Sequence, residues 1–126
     1  RKTMIIGIGC DIIEIARVQK AVQRQAFQSR VFSAEEIAYC TGRGQQQYAS
    51  FAARFAAKEA VLKAFGTGFR GGSLTEIEVY NDALGRPEIK FSGYYKELAE
   101  KRGVTKCHLS LTHSRDNAAA YVVMEG

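Results

Sequence analysis

Gln46-Gln-Tyr48-Ala-Ser-Phe51-Ala-Ala-Arg54-Phe55-Ala-Ala-Lys58-Glu59-Ala-Val-Leu-Lys63-Ala-Phe65 is the stretch that organises the chain. Its alanines are strong helix formers, so it predicts a long helix over about 46–65. Gly66 follows as a natural left-handed cap. On the N-terminal side, Ser33-Ala-Glu-Glu36 has the spacing of a capping box and predicts a short helix to about Cys40. Thr41-Gly-Arg-Gly44 then breaks it. Earlier still, Ile15, Val18 and Val22 recur at helical spacing, predicting a helix from Ile13 to about Arg24. Met4 to Asp11 is a near-continuous apolar run, read as a strand buried on both faces. On the C-terminal side, Gly66 to Gly72 must be a loop. Ile77 and Val79, then Ile89 and Phe91, mark two strands joined by a turn over Asn81 to Arg86. Tyr94 to Arg102 reads as a helix ending at Gly103. Cys107–Thr112 and Ala118–Met124 form a hairpin about Ser114-Arg-Asp-Asn117. The order β-α-α-α-β-β-α-β-β predicts an α+β fold: one domain over 1–126 with a mostly antiparallel sheet packed on the long helix.

Composition narrows the function. At 126 residues, 46% of them hydrophobic with 7 Phe and 6 Tyr, the chain is long and apolar enough to fold. No apolar run approaches the roughly 20 residues needed to span a bilayer. Neither a signal peptide nor a membrane association is expected. Residues 1–3, ahead of Met4, are expected to be a cloning remnant or disordered. The net charge of +5 suits an acidic partner: nucleic acid, a phosphate-rich small molecule or an acidic protein. Cys10, Cys40 and Cys107 are odd in number and far apart, with no Cys-x-x-Cys pair, so a zinc ribbon is not expected. Free thiols fit a reducing cytoplasm.

Few residues carry chemistry. Asp11 sits at the end of the first apolar run, where a carboxylate either caps the following helix or binds a partner or metal. Glu59 shares a helix face with Phe55 and Lys63 and is either an exposed ion pair with Lys63 or part of a site. Two carboxylates from distant segments, with a lysine one turn on, suit Mg²⁺ and a phosphorylated substrate. The loop from Gly66 either only connects or offers backbone N–H groups to phosphate. Thr112-His113-Ser114 ends a strand as an anion site or as a structural histidine. Arg17, Lys20 and Arg24 form a basic stripe on the first helix, which is a solvated face or a docking edge.

Together these segments resemble the bacterial holo-acyl-carrier-protein synthases. Gly7-Ile-Gly-Cys-Asp11-Ile-Ile-Glu14-Ile-Ala-Arg17 is similar to their opening signature. Phe51 to Gly68 is similar to the central one, with Phe55 where many relatives carry Trp. Ser110-Leu-Thr-His113-Ser114 is similar to the third. The resemblance implies Mg²⁺-dependent transfer of 4′-phosphopantetheine from coenzyme A to a serine of apo acyl carrier protein, releasing adenosine 3′,5′-bisphosphate and serving fatty acid biosynthesis. It implies Asp11 and Glu59 as metal ligands, and Glu59 and Lys63 as catalytic groups. Arg54, Lys63, Gly66, Thr112 and His113 are implied to line the coenzyme A site, and Arg17 and Arg24 to meet the carrier. It further implies a homotrimer with sites between subunits, His113 serving a neighbour. Residues 41–49 match nothing in the family's pattern. A basic, non-catalytic module binding an acidic protein or RNA is the alternative, although no nucleic-acid motif accompanies the charge.

Overall fold

The computed structural model describes residues 2–67 and 71–126. The elements run β1 (Ile5–Glu14), α1 (Ile15–Ala21), α2 (Gln25–Val31), α3 (Ala34–Thr41), α4 (Gln47–Phe65), β2 (Ile77–Asn81), β3 (Pro87–Phe91), α5 (Gly93–Lys101), β4 (Lys106–His113) and β5 (Asn117–Glu125). Single 3₁₀ turns over Gly44–Gln46 and Leu74–Glu76 precede α4 and β2. The strands form two antiparallel sheets, β1-β5-β4 and β2-β3.

Helix α4 is the core. Ala52, Ala56, Ala57 and Ala60 are completely buried, and their small side chains let neighbouring elements approach closely. The approach is tightest at β1. A Cβ on Gly7 would drive into the carbonyl oxygen of Ala64, and one on Gly9 into that of Ala60. Strand β1 therefore runs antiparallel to α4 in backbone contact. Asp11, two residues beyond Gly9, lies on the same strand face.

The capped helices form as their sequences predict. Ser33 Oγ accepts from Glu36 N at 3.2 Å, and Ser33 N donates to Glu36 Oε1 at 2.9 Å, completing the box on α3. Gly66 ends α4 at φ 72°, where a residue with a Cβ would be strained.

Three expectations are corrected. Strand β1 continues to Glu14, so Asp11 lies inside it, opposite Ala120, and does not cap a helix; Glu14 takes the cap position of α1. Strand β5 supplies this extension, because its Asn117–Ala120 segment offers ladder partners to residues 11–14. Second, β1 is covered on one face only: Ile8 is 69% and Ile12 68% exposed. Third, the predicted first helix ends early, at Ala21, and a separate helix that the sequence reading did not place, α2, follows at Gln25–Val31. The break after Ala21 lets Val22 and, beyond it, Val31 and Phe32 all enter the core. Gln28 Nε2 donates to Val22 O at 3.0 Å across the bend.

Candidate active site

The β1–α4 contact brings the first group together. With the strand backbone against the helix at Gly9, the Asp11 side chain reaches α4, and Lys63 Nζ donates to Asp11 Oδ1 at 3.0 Å. This pair joins residues 52 apart in the chain. The carboxylate is 19% exposed and the ammonium 57%. The hydrogen bond and charge of Asp11 hold Lys63 above its ordinary value, so it is protonated at neutral pH. Glu59, partly buried, stands one turn before Lys63 on α4. Among the described residues no three acidic, histidine or cysteine side chains gather to hold a metal by themselves. Asp11 and Glu59 are hard oxygen donors, and Mg²⁺ is commonly held by two carboxylates with substrate phosphates and water completing the shell. The donor set fits that ion.

A second group lines a cleft of about 210 Å³ where α3, α4, β2 and the end of β4 converge. Arg54, Thr112 and His113 all line it, with Tyr39, Arg43 and Asn81. Arg54 is only 4% exposed. Its Nη2 donates to Asn81 Oδ1 at 2.6 Å, and its guanidinium lies 4.2 Å from the centroid of the Tyr39 ring. Its Nε is buried with no hydrogen-bond partner among the described residues. Arg43 reaches the same tyrosine, 5.5 Å from the ring centroid. Two guanidiniums and an imidazole line the cleft without a carboxylate, a setting that attracts an anion. Asp11, Glu59 and Lys63 do not line this cleft.

The remaining expected residues stand apart from both groups. Gly66 caps α4; the phosphate-cradling expectation for the segment beyond it includes residues 68–70 and lies outside the described residues. Arg17 is exposed on α1. Arg24 is exposed too, but it precedes α2, so the basic stripe does not lie on one continuous helix.

Sequence reading missed Tyr39, Arg43 and Asn81, whose only signals were a break after a helix and a turn. It also missed Lys58. This lysine is fully buried and donates to Glu36 Oε1 at 2.9 Å, Leu74 O at 2.9 Å and Ile77 O at 2.6 Å. Burial pushes its ammonium below the usual lysine value, while Glu36 opposes the shift.

Known proteins resemble this chain over nearly its whole length. Residues 7–122 match the 4′-phosphopantetheinyl transferase superfamily. The holo-[acyl-carrier-protein] synthase of Clostridium tetani is 48% identical over 124 residues, covering 98% of each chain. The crystal structure of the holo-[acyl-carrier-protein] synthase of Neisseria meningitidis superposes with a TM-score of 0.88 at 37% identity, covering 98% of this chain and all of that one. That of Bacillus anthracis, in complex with coenzyme A (3′,5′-ADP), gives 0.80 at 38% identity and covers 98% of each chain. With signature residues, fold and relatives in agreement, the chain belongs to the 4′-phosphopantetheinyl transferase superfamily, among its holo-acyl-carrier-protein synthases.

Proposed function

We propose that this chain transfers 4′-phosphopantetheine from coenzyme A to a serine of apo acyl carrier protein, with Asp11, Glu59 and Lys63 as its reacting centre. The observation that carries the proposal is the 3.0 Å Asp11–Lys63 pair beside Glu59, built on a glycine-only contact between β1 and α4. The carrier serine oxygen forms a bond to the β-phosphorus of the coenzyme A pyrophosphate. The bond from that phosphorus to the bridging oxygen breaks, and adenosine 3′,5′-bisphosphate leaves with the electron pair. Glu59 accepts the serine proton. The Lys63 ammonium offsets charge on the leaving phosphate. Asp11 and Glu59 would hold Mg²⁺, whose chemistry here is to neutralise the pyrophosphate. Arg54, Thr112 and His113 bind anionic parts of the donor in their cleft, and Gly66 lies at the start of the loop read as lining that donor's path. Exposed Arg17 and Arg24, with the +5 charge, steer an acidic carrier toward the site.

The reading extends to a homotrimer. The face of the three-stranded sheet turned away from α4 exposes Ile8, Ile12 and Tyr121, a continuous apolar surface that a second copy can cover. In that assembly His113 completes a neighbour's site. No helix among the described residues is long and apolar enough to cross a membrane, and the enzyme is read as a cytoplasmic member of fatty acid biosynthesis.

Intact-mass analysis tests the transfer. Apo carrier incubated with the protein, coenzyme A and Mg²⁺ gains the mass of phosphopantetheine, and EDTA abolishes the gain. Asp11→Ala and Glu59→Ala lower the rate by about 10³-fold while retaining the wild-type circular dichroism spectrum. Wild-type rates in either variant would remove the metal assignment. No gain with wild-type protein and a competent carrier would leave the binding-module reading.

A further inference from the structure

The buried Lys58–Glu36 pair needs an account other than stability. An enclosed ion pair is often no more stabilising than apolar side chains of the same volume. This one is completely satisfied. Lys58 spends its three donors on Glu36, Leu74 O and Ile77 O. Glu36 accepts in addition from Ser33 N at 2.9 Å and, through Oε2, from Val79 N at 2.9 Å.

The partners on β2 fall in a row. Among the described residues strand β2 pairs with β3 along one edge only. Along the other edge Lys58 holds the carbonyl of Ile77 and Glu36 holds the amide of Val79, and at the end of the strand Arg54 holds the side chain of Asn81. Ile77, Val79 and Asn81 alternate, so the backbone groups of the first two face the same edge and the three side chains share one face, and a one-residue slip would break all three contacts together. Arg54 and Lys58 lie one turn apart on α4 and share a face. The side chains of α3 and α4 thus take the place of a missing neighbouring strand. What they set is the position of Asn81, which fixes Arg54 at Nη2 and leaves its buried Nε unpaired among the described residues.

We infer that Lys58 and Glu36 are positioning residues for donor binding: they lock the register of β2 against α4 and thereby, through Asn81, orient the Arg54 guanidinium in its cleft. The inference rests on the reading of that cleft as a coenzyme A site.

The test compares three variants: Glu36→Leu/Lys58→Met, Asn81→Ala, and the triple combination. Turnover gives KM and kcat, and calorimetric titration with coenzyme A alone gives Kd. The double variant is expected to keep a cooperative melt and a kcat within about twofold of wild type, while KM and Kd for coenzyme A rise about tenfold, the signature of lost ground-state binding. Asn81→Ala is expected to do the same, and the triple variant to be no worse than either, because all act through one link. A wild-type Kd in Asn81→Ala overturns the proposal even if the double variant does not fold, since the last link would then carry nothing. Effects that multiply in the triple variant overturn it too. Failure of the wild-type protein to bind coenzyme A would instead sink the functional reading on which it rests.

Discussion

Two lysines five residues apart on α4 show how far position decides the meaning of a residue. Lys58 has no exposed surface and is enclosed by a carboxylate and two carbonyls. Lys63 is more than half exposed and donates to the Asp11 carboxylate. The first is suited to holding elements together and the second to meeting a phosphate. The cysteines divide the same way. Cys10 is exposed, whereas burial pushes the Cys40 thiol up to about 11 and that of Cys107 to about 12. Above the ordinary thiol value of 9.0 the unfolded chain loses these protons while the native chain keeps them. The native state then binds more protons, so this contribution is fully present below that value and declines as pH rises through the native ones. Thermal melts should therefore fall more steeply between about pH 9 and pH 10.5 for wild type than for Cys40→Ala/Cys107→Ala. Parallel slopes would show that the buried thiols do not govern the decline.

Between elements, the decisive contact is the backbone approach of β1 to α4. Gly9→Ala would place a methyl group on the carbonyl oxygen of Ala60, with no flexible side chain to give way. A loss of about 3 kcal/mol in urea denaturation is expected, with activity falling further as Asp11 moves away from Lys63; an unchanged midpoint would show that the strand can shift freely. The elements written in local chemistry were legible in the sequence: the Ser33–Glu36 box, the alanine-rich helix, its Gly66 cap and the two hairpins. The end of β1 was not, because it depends on which residues of β5 stand opposite. Nor was the bend after Ala21, which serves burial of residues distant in the chain. The site divides on the same ground. Asp11, Glu59, Lys63 and Arg54 could be singled out from apolar surroundings and a family pattern. Glu36 read only as half of a cap, since its second role depends on Lys58 and Val79 arriving from elsewhere. Tyr39, Arg43 and Asn81 have meaning only once α3, α4 and β2 converge.

For the whole molecule, the uncovered sheet face is the feature that needs a partner. Ile8 stands opposite Val123, and Ile12 opposite Ala119, so the exposed apolar side chains cross β1 and β5 as a band that also takes in Tyr121. Ile8→Glu would set a charge in its midst. Light scattering after gel filtration should find the trimer for wild type and the single chain for this variant, with the circular dichroism spectrum retained; an unchanged mass would move the interface elsewhere. The Asp11–Lys63 pair and the cleft of Arg54 and His113 are separate places on one chain. If copies must meet for these to serve one donor molecule, dilution acts as an inhibitor. Below the concentration at which copies associate, each chain is folded and intact but idle, and output per molecule rises with the amount of enzyme present. The cell's expression level would then set not only how much catalyst exists but what fraction of it works.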